Sequence, residues 1–112
     1  MLYVGNAFSV NMLNGVDVSA RFKKLEETDV FELLRQPHTN TIRHPATMAL
    51  IRGLFPSLAD PVDAAIKLSS GDDLLVVMPI WKSGRPPETK DYTLEELMQL
   101  TSGVNYWLVK IS

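Results

Sequence analysis

The chain has 112 residues, enough for one domain with its own core and too few for two. Hydrophobic residues make up 46% and the formal net charge is −2, a globular balance that argues against disorder and against a basic grip on long nucleic acid. There is no cysteine, so there is no disulfide framework, no thiolate metal site and no cysteine nucleophile, and the composition fits a reducing cytoplasm.

The N-terminus has neither a basic region nor an apolar run of signal-peptide length, and no stretch approaches a membrane span. Leu2-Tyr3-Val4 reads as a buried strand stopped by Gly5-Asn6. Residues 7–13 read as one or two helical turns closed by Asn14-Gly15. Residues 16–25 alternate, with Val16, Val18, Ala20 and Phe22 on one side, as in a half-buried strand. Residues 26–35 form a helix with acidic residues in its first turn.

A polar connection comes next, with a short strand near Thr41-Ile42. His44-Pro45-Ala46-Thr47 opens a helix running to Leu54, because proline suits the first helical position and Met48, Leu50, Ile51 and Leu54 make an apolar stripe. Residues 62–68 alternate as a strand. Ser70-Gly71-Asp72-Asp73 is a tight turn, and the continuous apolar run 74–80 is a central strand. Residues 81–92, with Gly84, Pro86 and Pro87, read as an exposed loop. Thr93 and Glu96 form a capping box, the helix behind them ends before Gly103, and residues 105–111 are a last strand. The expectation is a single α/β domain over residues 1–112, a mixed sheet flanked by helices.

His44 is the leading chemical candidate. At the cap of a helix it stands where free backbone N–H groups and the helix dipole favour an anion. The competing reading is a plain cap. Asn6 and Ser9 come directly after the first strand, at the strand end where α/β sheets bind ligands; they also suit an ordinary N-cap. Arg85 offers a fork for phosphate and Glu88 a carboxylate to orient it, set against a merely solvated loop. Arg43, Lys82 and Lys90 are further cations. Trp81 and Trp107 read as packing residues, and His38 has no evident partner. No paired histidines, His-x-Glu or Asp-x-Asp occur, so neither a metal nor another cofactor is indicated.

Taken together the motifs resemble the small viral ring nucleases that act as anti-CRISPRs against type III systems, and their cellular relatives. Asn6-Ala7-Phe8-Ser9-Val10-Asn11-Met12-Leu13 resembles the family's opening signature. Ile42-Arg43-His44-Pro45-Ala46-Thr47 resembles its second block, Gly71-Asp72-Asp73-Leu74-Leu75-Val76-Val77 the turn before its central strand, and Tyr106-Trp107-Leu108-Val109 its aromatic last strand. The resemblance implies a homodimer that encloses cyclic tetra-adenylate and cleaves it without metal, in the cytoplasm of the host cell if the protein is viral. It implies that His44, Arg85 and Glu88 are catalytic. It implies that Asn6, Ala7, Phe8, Ser9, Pro45 and Thr47 contact substrate, with Arg43 and Lys82 as added cations. Two departures stand out: Arg43 takes the place of a small residue before the histidine, and the loop from Lys82 to Tyr92 is longer and richer in proline.

The implied chemistry is attack of a ribose 2′-hydroxyl on the adjacent phosphorus, with His44 protonating the departing 5′-oxygen. Two other readings stand beside it. One is a sensor that binds a cyclic oligonucleotide without cutting it; the other is an interaction protein that blocks a host complex.

Overall fold

Leu2–Gly5 forms β1, and Val4 within it is wholly buried. The computed structural model describes residues 1–88 and 91–112; Lys90 lies outside the described residues. After β1 come β2 (Ala20–Leu25), α1 (Glu27–Leu34), β3 (Thr39–Asn40), α2 (Pro45–Leu54), β4 (Asp73–Trp81), α3 (Leu94–Gln99) and β5 (Thr101–Ile111). The strands make one five-stranded sheet in the order β2-β5-β4-β1-β3. β1 runs parallel to β3 and to β4, whereas β5 is antiparallel to β4 and β2. The architecture is the expected α/β domain with a mixed sheet.

Both faces of the central strand are covered from Leu74 to Val77, which explains the apolar sequence there, whereas Met78 and Ile80 are exposed. Leu75 and Val77 point to a core that takes Val30 and Leu34 from α1, Ala46, Leu50 and Ile51 from α2, and Leu97 from α3. Leu74 and Val76 point the other way, to a smaller cluster with Ile66, Leu68, Val109 and Ile111. All three helices therefore serve one face. Among the described residues, the opposite face has the segments 7–14 and 62–68 laid over part of it.

Three expected elements differ. Residues 7–13 make only a single 3-10 turn, Val10–Met12, because Ser9 is extended and caps it from outside. The strand expected over 16–25 begins at Ala20; Val16 is fully exposed, and the edge strand β2 leaves Phe22 facing solvent. Residues 62–68 are not a strand. Ile66 and Leu68 are buried with Lys67 exposed between them, so the alternation is real, but the segment lies against the sheet's face and meets no ladder. It is pinned at both ends. Val62 N donates to Asn40 O at 2.9 Å and Leu68 N to Met12 O at 2.6 Å, and no residue of 63–67 makes a backbone–backbone hydrogen bond among the described residues.

Smaller shifts have local causes. The short strand near Thr41 lies at Thr39–Asn40, because Thr41 N and Oγ1 both donate to Val4 O at 2.8 Å and turn the chain away. Trp81 is the buried last residue of β4 rather than the start of a loop. β5 starts at Thr101, straight after α3, and absorbs Gly103 at φ +141 where the pairing slips by one residue between Pro79 and Trp81. A bulge with that backbone angle favours glycine.

Candidate functional site

The parallel strands β1 and β3 end side by side, and the residues just beyond each of them build the site. Behind β1 come Asn6, Ala7 and Ser9; behind β3 come Thr41, Arg43 and His44. Asn6, Ala7, Ser9, Thr41 and Arg43, together with residues 64–67, enclose a cavity of about 460 Å³, to which Gly5, Asn11 and Met12 also contribute. This is the end of an α/β sheet where ligands bind. Its floor is tight: a Cβ on Gly5 would come within 3.3 Å of Ile66 Cδ1 and 3.5 Å of Thr41 Oγ1.

His44 follows the cavity-lining Arg43 but does not itself line the cavity; it is the N-cap of α2 with Pro45 as first helical residue, and its Nδ1 accepts the Ala46 N–H at 3.3 Å. An Nδ1 that accepts leaves the neutral ring's proton on Nε2. The histidine is therefore both cap and donor, with Nδ1 bound to the helix and Nε2 carrying the N–H. Ser9 is likewise a cap, its Oγ accepting from Asn11 N at 3.3 Å, and it lines the cavity as well.

Two cations border the cavity. Arg43 Nη2 lies 3.3 Å from Asp63 Oδ1. Lys67 Nζ donates to Asn11 O at 3.2 Å. Asn6, Asn11, Ser9 and Thr41 add neutral donors and acceptors. This set of cations, hydroxyls and amides around small apolar residues suits a phosphate-bearing ligand with an attached ring system.

The other expected site residues lie elsewhere. Phe8 stacks edge-on against Phe22, ring centroids 5.4 Å apart, and lines a separate apolar groove of about 350 Å³ with Val76, Met78, Trp107 and Val109. Pro45 is exposed at the helix start, and Thr47 is 2% exposed. Lys82, Arg85 and Glu88 are exposed in the segment after β4 and do not line the cavity; Lys82 N donates to Leu100 O at 2.9 Å and Ser83 Oγ to Arg85 O at 3.0 Å. Among the described residues no cluster of acidic, histidine or cysteine side chains is placed to hold a metal, and no helix is long and apolar enough to cross a membrane.

Asn11, Thr41, Asp63 and Lys67 are cavity or cavity-rim residues that the sequence did not single out. The only signal was polarity breaking an apolar run, as Lys67 does between Ile66 and Leu68. His38, which had no evident partner, is structural: Nε2 accepts from Ala59 N at 3.0 Å, so Nδ1 carries the proton and donates to Gln36 O at 2.7 Å. Beside it the fully buried Asn40 accepts from Ile42 N through Oδ1 and donates through Nδ2 to Ala59 O, both at 3.0 Å. These bonds fix the chain leaving β3, and so the place where Arg43 and His44 emerge.

No protein-family model matches the chain, and no curated protein matches it. Among solved structures, B116 of Sulfolobus turreted icosahedral virus is similar in fold, with a TM-score of 0.74 at 25% sequence identity over 97% of this chain and 97% of that one. The fold described here is thus shared from end to end with a viral protein of the same small size.

Proposed function

We propose that the protein is a metal-independent ring nuclease that binds cyclic tetra-adenylate and cleaves it, switching off type III CRISPR signalling in the cytoplasm of a host cell. One observation carries the reading. The two segments that resemble the ring-nuclease signatures, around Asn6–Ser9 and around Arg43–His44, are far apart in sequence and meet at one cavity, which Asn6, Ser9 and Arg43 line. The fold shared with a viral protein fits the same setting.

In this mechanism a bridging phosphate sits at the N-terminus of α2. Its oxygen takes the Ala46 N–H, a better match for that donor than the imidazole held at 3.3 Å. The exchange matters, because proton donation from Nε2 by an imidazolium requires a proton on Nδ1 as well, and Nδ1 cannot both carry a proton and cap the helix. Ligand binding thus releases His44 for acid duty. The ribose 2′-oxygen bonds to phosphorus and loses its proton to solvent, the bond from phosphorus to the 5′-oxygen breaks, and His44 protonates that oxygen. The products are linear adenylates ending in a 2′,3′-cyclic phosphate. Arg43 stabilises the charge growing on phosphorus. Arg85 and Glu88 join only if the 82–88 segment of either copy folds over the ring.

A cavity of about 460 Å³ cannot enclose four nucleotides, so a two-fold dimer with half the ring in each copy is part of the proposal. The apolar groove around Phe22 and Trp107, with Phe22 53% and Met78 36% exposed, is the face this proposal gives to the second copy. A second reading, binding without cleavage, is favoured by the bond that engages Nδ1 of His44. Incubation with cyclic tetra-adenylate in EDTA, with chromatography of the products, separates the two. Linear products with cyclic phosphate ends support the nuclease. An intact ring, or cleavage only after a divalent metal is added, overturns it.

A further inference from the structure

Arg43 faces two ways. On one side it lines the large cavity; on the other it borders a shallower cleft with Ile42, Pro61, Val62 and Asp63, where its guanidinium meets the Asp63 carboxylate at 3.3 Å. Both side chains are open to solvent, 65% exposed for Arg43 and 94% for Asp63. Asp63 belongs to the segment pinned at Val62 and Leu68, where residues 63–67 make no backbone–backbone hydrogen bond among the described residues, so little fixes its backbone against a small shift.

We propose that Asp63 is a built-in competitor for the ligand's phosphate: it holds the Arg43 guanidinium until an anion entering the cavity takes that guanidinium away. The site identification rests on the reading that this cavity holds the ring; the competition itself holds for any phosphate-bearing ligand there. One guanidinium fork can be satisfied by the carboxylate or by a phosphate, and a phosphate that also meets the cavity's other donors is the stronger partner. Asp63 therefore sets how much anion is needed to load the site.

The test is a set of titrations with the 2′-deoxy analogue of cyclic tetra-adenylate, which lacks the attacking hydroxyl, and with inorganic pyrophosphate as a minimal anion. Asp63→Asn keeps the shape and removes the charge. It should tighten binding of both probes about two- to five-fold at low salt, the range for an exposed ion pair, and the gain should shrink at high salt. In an Arg43→Ala background the same change should have no effect, because the competition runs through Arg43. Equal tightening in both backgrounds means general repulsion and overturns the proposal, as does no tightening in the wild-type background. Pyrophosphate binding that shows this pattern without any ring binding overturns the proposed substrate and leaves the competition standing. A wild-type chain that binds neither probe overturns both.

Discussion

His44 should separate into two roles under substitution. Its Nδ1 caps α2 by accepting from Ala46 N at 3.3 Å, and Nε2 is the only nitrogen left for substrate. His44→Ala removes both functions. Loss of an N-cap costs about 0.5–2 kcal/mol, and a bond this long belongs in the lower half of that range. At roughly 4 °C per kcal/mol for a domain of this size, the melting temperature should fall by about 2–4 °C. His44→Asn restores a good cap and supplies no titratable proton, so its melting temperature should stay near wild type. Both variants should lose cleavage by about 10²–10⁴-fold in single-turnover measurements with cyclic tetra-adenylate, the usual worth of a positioned acid. Both should keep affinity for the uncleavable ring, which rests on backbone donors and cations. Thermal melts, titration and quenched single-turnover assays on the same two variants decide the matter. If His44→Asn cleaves at the wild-type rate, the proton-donor role is wrong. If the alanine variant melts like wild type, the cap contributes nothing. If both variants lose binding as much as cleavage, the side chain is a ligand contact rather than an acid.

Asn40→Ala should destabilise the protein by about 1–3 kcal/mol, because it orphans the buried Ile42 N–H, whereas the Ala59 carbonyl keeps its bond from Arg52 Nη2 at 3.1 Å; a urea melt reads this directly. Phe22→Glu, which puts a charge on the open apolar face, should yield a monomer in light scattering and cost about 0.5–1.5 kcal/mol in stability from the lost edge-on contact with Phe8. A wild-type protein that is already monomeric would remove the dimer from the proposal. Burial, and next the Glu27 carboxylate, push the Tyr106 phenol from 10.0 up to about 12. Tyr106 therefore favours the folded state fully below pH 10, and that contribution disappears as pH rises through about 12; tyrosinate absorbance and alkaline melts should show the same late transition.

Much of the fold was legible because local and global signals agreed. Pro45 at the first helical position and the apolar stripe from Met48 to Leu54 fixed α2 to the residue, and the capping box of Thr93 and Glu96 fixed the start of α3. The run from Leu74 to Ile80 marked the central strand, covered on both faces as far as Val77. What failed was the inference from alternation to a ladder. Residues 62–68 alternate because one side packs on the sheet, and packing alone does not tell edge from face. The same limit hid half of the cavity: Asp63 and Lys67 belong to that segment, and only its placement across the sheet brings them near Arg43 and Asn11. His44 was legible from its neighbours, whereas the course of the 82–88 segment, which sets Arg85 and Glu88 apart from the cavity, depends on where β4 ends.

The segment pinned at Val62 and Leu68 has one more consequence. Among the described residues its inner amides have no backbone partner, while the anchoring amides at either end are bonded to Asn40 and Met12. In heavy water the middle should exchange its protons almost as fast as an unfolded peptide, between two points that exchange slowly. That contrast makes the wall of the cavity its own reporter. Any molecule that settles against residues 64–67 slows exchange there first, so the protein signals occupancy of its site without label, substitution or turnover.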